Sequence, residues 1–237
     1  MPSRAVNISG VGQVVISKRR NNKNIRLSIN SAGVVRVSMP YWSPYSLGIA
    51  FAKSKSNWIN ERISKQNVPL LHPGAKIGRD HRLSYVRDYR FKKTKAVVST
   101  NSIVVTSSRR YDDPTVQLAT QRASERALKY QAQLVLPEQL ALLAKKYSFR
   151  YRDVRIRKLT SRWGSCSSDN VITLSYFLVQ LPQALIDYVI LHELNHTQHL
   201  HHGADFWDSL DKIVPDSKQL RKRLKMYQPR VIPAFPS

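Results

Sequence analysis

His192-Glu193-Leu194-Asn195-His196 decides how this chain is read, because the five residues fit H-E-x-x-H inside a segment with helical periodicity. Residues four apart on a helix share a face. The imidazoles of His192 and His196 therefore converge on one point, while the Glu193 carboxylate stays free beside them. Two neutral ring nitrogens suit zinc, and a free carboxylate suits a general base. Pro182 stands at a natural first-turn position, and Leu185, Ile186, Val189, Ile190 and Leu194 recur at helical spacing. Leu185, Val189, His192 and His196 form one stripe, which turns the histidines toward a pocket wall, and Gly203 reads as the helix stop.

Outward from this motif, five of the seven histidines (His192, His196, His199, His201 and His202) fall within eleven residues, leaving only His72 and His81 elsewhere. Such clustering favours a metal over a solvated helix end whose histidines merely face the helix dipole. A catalytic zinc takes three protein ligands and keeps one open position, so a third ligand is expected downstream. The glutamates are Glu61, Glu125, Glu138 and Glu193, and none follows the motif. Candidates are His199, His201, His202, Asp205 and Asp208. His199 lies about 10 Å along a straight helix from His192, too far to share an ion with it. His202 is favoured because it follows His196 by six residues, the spacing found in H-E-x-x-H-x-x-G-x-x-H sites. His199 occupies the glycine position of that longer motif, so the chain is expected to leave the helix differently.

Arg162-Trp163-Gly164-Ser165-Cys166-Ser167-Ser168, a short apolar strand, Pro182, the H-E-x-x-H segment and His202-Gly203-Ala204-Asp205-Phe206-Trp207 occur in that order. This succession resembles the YgjP-like metallopeptidase domain. The likeness reaches into the N-terminal part through a basic hairpin around residues 18–39, a helix with Lys55 and Trp58-Ile59, and Gly78-Arg79-Asp80-His81-Arg82-Leu83. It covers roughly residues 11 to 225. The resemblance implies zinc bound by His192, His196 and His202, with Glu193 as the catalytic carboxylate. It further implies kinship with SprT-like proteases, in which a strand before the active-site helix holds an extended substrate. The matching strand here is Val171, Ile172, Thr173, Leu174 and Ser175.

The 237 residues suffice for a sizeable core, in one domain or two. No apolar run is long enough to span a membrane, and the first ten residues lack a signal-peptide apolar segment, so a cytoplasmic location is expected. The single cysteine, Cys166, excludes an intrachain disulfide and agrees with a reducing compartment. It reads as a small packing residue rather than a nucleophile or a ligand. The formal charge of +24 creates a field that attracts polyanions. Residues 1–120 hold 21 Lys and Arg against 5 Asp and Glu, so the excess is greater in the half without the motif.

The period-2 segments 11–17, 25–30 and 34–39, with turn signals at Asn21-Asn22 and Ser31-Ala32-Gly33, predict a small sheet. A helix over 44–65 follows, with Trp58 and Ile59 as core anchors. Strands are expected at 83–88, 96–99 and 103–107, then a helix from the Asp113-Pro114 start to about residue 136, broken or kinked by Pro137 and resumed to 147. Further strands at 154–159 and 171–175, the motif helix, short helices at 206–213 and 217–227 and a loose tail complete the chain. The fold expected is α+β: a basic β-rich N-terminal module (residues 1–112) followed by a zincin-like metallopeptidase domain (residues 113–237) with an H-E-x-x-H active-site helix.

The function expected is zinc-dependent peptide hydrolysis, with Glu193 as general base and a protein or peptide as substrate. Asn195 and Tyr176 are read as structural, and no residue is assigned to the oxyanion. The alternative is a basic nucleic-acid-binding protein with a structural zinc, or a protease recruited to DNA by its basic surface. Glu193 speaks for the enzyme, since a closed structural site has no use for a free carboxylate next to a ligand.

Overall fold

The computed structural model describes residues 3–29, 34–65 and 70–233. Contacts divide the chain into two compact units, Met1–Pro69 and Leu70–Ser237.

In the first unit, β1 (Ser3–Ile8), β2 (Gly12–Arg19), β3 (Arg26–Ile29) and β4 (Val35–Pro40) form a sheet of order β1-β2-β4-β3. β3 and β4 make an antiparallel hairpin, whereas β2 runs parallel to β4, from Val14↔Val35 to Arg19↔Pro40. The expected basic hairpin over 18–39 is thus confined to its second half. Alternation does the sorting: Val14, Ile16, Val35, Val37 and Met39 point to one face, where α1 (Tyr45–Ser54) and α2 (Ser56–Lys65) bury them with Ala52 and Ile59. The expected single helix is two, interrupted at Lys55, whose N–H bonds back to Ala52 and Lys53 carbonyls. Ile59 is fully buried but Trp58 is 47% exposed, because neighbours on a helix lie about 100° apart and only one of them can face the sheet. The turn expected at residues 31–33 lies outside the described residues.

The second unit begins with β5 (Lys76–Ile77), β6 (His81–Arg87), β7 (Lys95–Val98) and β8 (Ser102–Ser107) in the order β5-β6-β8-β7. Next comes α3 (Pro114–Lys146), capped by the Asp113 carboxylate accepting the Thr115 N–H at 2.8 Å. Pro137 does not interrupt it. An internal proline costs about 3 kcal/mol, but a buried leucine contributes roughly 1.5–3 kcal/mol, and Leu136 and Leu140 beside it are both fully buried.

The boundary expected at residues 112/113 falls inside this unit, because β5–β8 and α3 share one core and one buried polar link. His81, fully buried, meets Gln131 of α3 through Nδ1 at 2.6 Å and the Ser99 carbonyl through Nε2 at 2.8 Å. Gln131 also accepts the Arg79 N–H at 2.7 Å. Gly78, at φ +64, is the bend that brings this backbone over, and a Cβ there would collide with the Gln131 side chain.

A second sheet contains β9 (Asp153–Arg157), β10 (Gly164–Cys166) and β11 (Val171–Ser175) in the order β10-β11-β9. A 3₁₀ turn over Tyr176–Gln180 leads to α4 (Gln183–Asn195), followed by α5 (Ala204–Ile213) and α6 (Ser217–Leu224). The tail expected to be loose is tied down as far as Ile232: Val231 is buried, Gln180 donates to the Arg230 carbonyl at 2.5 Å and accepts the Ile232 N–H at 3.2 Å. No helix among the described residues is long and apolar enough to cross a membrane.

Candidate metal centre

α4 carries the site. Leu185, Ile186, Val189, Ile190 and Leu194 anchor it in the core, which fixes the rotation of its last turn. His192 and Glu193 lie in that turn, and His196 is the C-cap, still helical at φ −65 and ψ −16. The chain then turns within residues 197–203 and returns His202 to the histidines it left.

His202 Nε2 lies 3.0 Å from His192 Nε2 and 3.1 Å from His196 Nε2. The three side chains offer nitrogens all within 4.8 Å of one another. His196 Nδ1 is 3.0 Å from the His199 carbonyl, so it carries the proton and leaves Nε2 with a lone pair. His192 Nδ1 is buried without a partner, and burial, followed by the charges of His196, His202 and Arg221, pushes this imidazole down to about 3, which keeps it neutral. His202 is lowered by burial and then by the same neighbours His196 and Arg221. Three imidazole nitrogens crowded into one point repel unless a cation lies between them, so this donor set fits a divalent metal ion.

Of the five candidates for a third ligand, His202 is the one brought to His192 and His196. His199 contributes its carbonyl instead, and His201, Asp205 and Asp208 stay outside the group among the described residues. Phe206, fully buried, packs its ring 4.9, 4.6 and 4.7 Å from the centroids of His192, His196 and His202, an apolar floor under all three. Trp207 stacks on His202 at 5.5 Å and donates Nε1–H to the His202 carbonyl at 3.2 Å, and Arg221 of α6 covers its ring at 4.5 Å. Asn195 is structural: it donates to the Phe206 carbonyl at 2.9 Å and accepts from Ser209 at 2.9 Å, tying α4 to α5. Tyr176 likewise donates to Glu125 at 3.1 Å.

Glu193 is buried, and burial, partly offset by the Arg162 charge, raises its carboxyl to about 8. Gly164 of β10 makes room for it, since a Cβ there would lie 2.6 Å from Glu193 Cγ and 2.7 Å from Oε1. Cys166 is partly buried, and burial, then the Glu193 charge, pushes its thiol up to about 11, which keeps it protonated.

The strand expected to take substrate, Val171 to Ser175, has no free edge. β11 pairs on one side with β10 and on the other with β9, so the backbone groups of Val171, Ile172, Thr173, Leu174 and Ser175 are already used. β10 is the edge. Trp163 and Ser167 bond toward β11, at 2.8 and 3.0 Å, so by alternation Gly164 and Cys166 turn their N–H and C=O outward. From sequence the segment 163–166 reads as strand or turn, because it is too short for a period-2 pattern, and the structure makes Gly164–Cys166 a strand. Sequence reading assigned no role to Phe206, Trp207 or Arg221, since a helical Phe-Trp pair reads as ordinary core and a lone arginine as surface.

Three imidazoles able to share one ion beside a buried carboxylate belong to the donor chemistry of metallopeptidases. The chain belongs to the YgjP-like metallopeptidase domain family, whose model matches residues 23–227. Among solved structures it is similar to the metallopeptidase zymogen of Pyrococcus abyssi abylysin, with 23% identity and a TM-score of 0.36 over 39% of this chain and 93% of that one. It is also similar to the metallopeptidase zymogen of Methanocaldococcus jannaschii jannalysin, with 17% identity and a TM-score of 0.35 over 38% of this chain and 94% of that one. No curated protein sequence matches the chain.

Proposed function

We propose that this protein is a zinc-dependent, zincin-like peptidase in which His192, His196 and His202 hold the metal and Glu193 is the general base. The observation that carries this reading is the convergence of the three Nε2 atoms beside a buried carboxylate. Zinc bound there would supply Lewis acidity, acidify a water and stabilise the carboxylate form of Glu193. His196 is held as a ligand by its Nδ1–H bond to the His199 carbonyl, which fixes the tautomer. Glu193, at a carboxylate oxygen, takes one proton from the attacking water as the new C–O bond forms. It then gives that proton to the amide nitrogen as the C–N bond breaks, so a carboxylic acid and an amine leave. Gly164 keeps Glu193 in place by leaving it no rival Cβ. An extended peptide would add to the outward N–H and C=O groups of Gly164 and Cys166, which face away from β11.

A structural zinc fits less well, since no fourth His, Cys, Asp or Glu joins the three among the described residues. The deciding experiment is metal content by plasma mass spectrometry on wild type and Glu193→Gln, with cleavage of casein. About one zinc in both proteins, with kcat falling about 10²- to 10⁴-fold in the variant, supports the assignment. A Glu193→Gln protein that cleaves like wild type removes Glu193 from the mechanism.

A further inference from the structure

Residues 1–69 carry eleven Lys and Arg and one carboxylate, Glu61, while the remaining chain has 28 and 14. The peptidase reading uses none of this charge. Its placement is uneven within the unit. Because β2 and β4 run parallel with Lys18 opposite Met39 and Arg19 opposite Pro40, the segments leaving the two strands emerge side by side. One segment is Lys18-Arg19-Arg20; the other is Pro40-Tyr41-Trp42, leading to Tyr45 at the start of α1. Trp42 is 71% exposed and Tyr41 49%, although large aromatic faces bared to water are costly without a partner. Lys18 Nζ lies 4.6 Å over the Tyr45 ring, and the Arg20 guanidinium lies 5.8 Å from the Tyr41 ring.

We infer that this end of the first unit, built from Lys18, Arg19, Arg20, Tyr41 and Trp42, binds single-stranded nucleic acid. Cations alone attract any polyanion. The rings narrow the choice, because they intermingle with the cations instead of forming an apolar face with a basic rim, as a membrane-seated surface requires. Intermingled cations and rings match a strand that alternates phosphates with unstacked bases. A duplex keeps its bases stacked and offers Trp42 nothing to cover. No carboxylate flanks the cluster in sequence between Lys18 and Tyr45.

Fluorescence anisotropy of the full chain with a labelled oligothymidylate of about 20 nucleotides, read across salt, tests this. Binding should weaken with salt, and Trp42→Ala should weaken it about tenfold, with Trp42→Phe restoring most of the loss. The triple variant K18Q/R19Q/R20Q should lower the salt slope by about two. Lys129→Gln, an exposed lysine of α3 in the second unit, should leave affinity unchanged. Melting curves that match wild type keep these losses from being folding defects. Three results would overturn the inference: no binding, equal affinity for a duplex of the same length, or full affinity in both Trp42→Ala and the triple variant. Displacement of the strand by phosphatidylserine vesicles, with Trp42→Ala losing the vesicles as well, would assign the surface to lipid instead.

Discussion

Two histidines of the second unit, each with a buried ring nitrogen, stand in opposite circumstances. His81 has both ring nitrogens occupied, by Gln131 and by the Ser99 carbonyl, and it holds a strand to a helix. His192 has its Nδ1 unpartnered and its Nε2 aimed at two other imidazoles. Each stands near a polar side chain admitted by a glycine: Gly78 makes room for Gln131, and Gly164 for Glu193. A buried ring nitrogen is common to both. What separates a packing histidine from a ligand is whether the protein's own groups satisfy the ring.

That contrast breaks most visibly with alanine at each position. His192→Ala should drop zinc from about one per chain to near none and abolish casein cleavage, since two imidazoles are too few for a catalytic site. His81→Ala should keep the zinc and lose about 2–4 kcal/mol of stability, from the cavity and the stranded Gln131 amide, read by denaturant unfolding. If His81→Ala loses zinc while still folded, the two histidines are not independent.

The glycines sharpen it further. Gly164→Ala should retain zinc but lower kcat about tenfold to a hundredfold, because a Cβ 2.6 Å from Glu193 Cγ displaces the base. Gly78→Ala should spare the chemistry and destabilise the fold by about 1–3 kcal/mol, through overpacking against Gln131 and an unfavourable positive φ. Equal kcat in Gly164→Ala and wild type would show that the close approach does not position Glu193.

The smallest expected effect concerns the cap of the helix that carries Gln131. Hydrogen bonds from the Thr115 hydroxyl and N–H, then Arg109, hold the Asp113 carboxyl down at about 2. A folded-state value below the unfolded one gives stability above about pH 4 that is lost as the pH falls toward 2. The melting-temperature gap between wild type and Asp113→Asn should therefore shrink over that interval. A gap that does not change with pH would assign the cap to hydrogen bonding without charge.

Much of this architecture was readable as local pattern. Asp113-Pro114 announces α3, alternation announces β2 and β4, and the spacing of His192 and His196 follows from helical geometry alone. Readings went astray where a local rule met a tertiary one. Pro137 predicts a break, yet the buried leucines around it carry the helix through. Trp58 reads as core, yet its neighbour Ile59 takes the inward position. Asp113-Pro114 looks like a domain boundary, yet His81 and Gln131 join the two sides across it.

The sequence by itself determined the chemistry on offer: two histidines four apart with a glutamate between them, further histidines downstream, and a strong positive excess. Residue type and helical period are local properties, and they survive being read as a string. Only the tertiary structure decided that His202 returns to His192 and His196, that Phe206 lies under all three rings, and that Gly164–Cys166 rather than Val171–Ser175 has the open edge. Those outcomes depend on which way a loop turns and on which strand ends a sheet. Both are set by packing between residues distant along the chain, which no local period encodes.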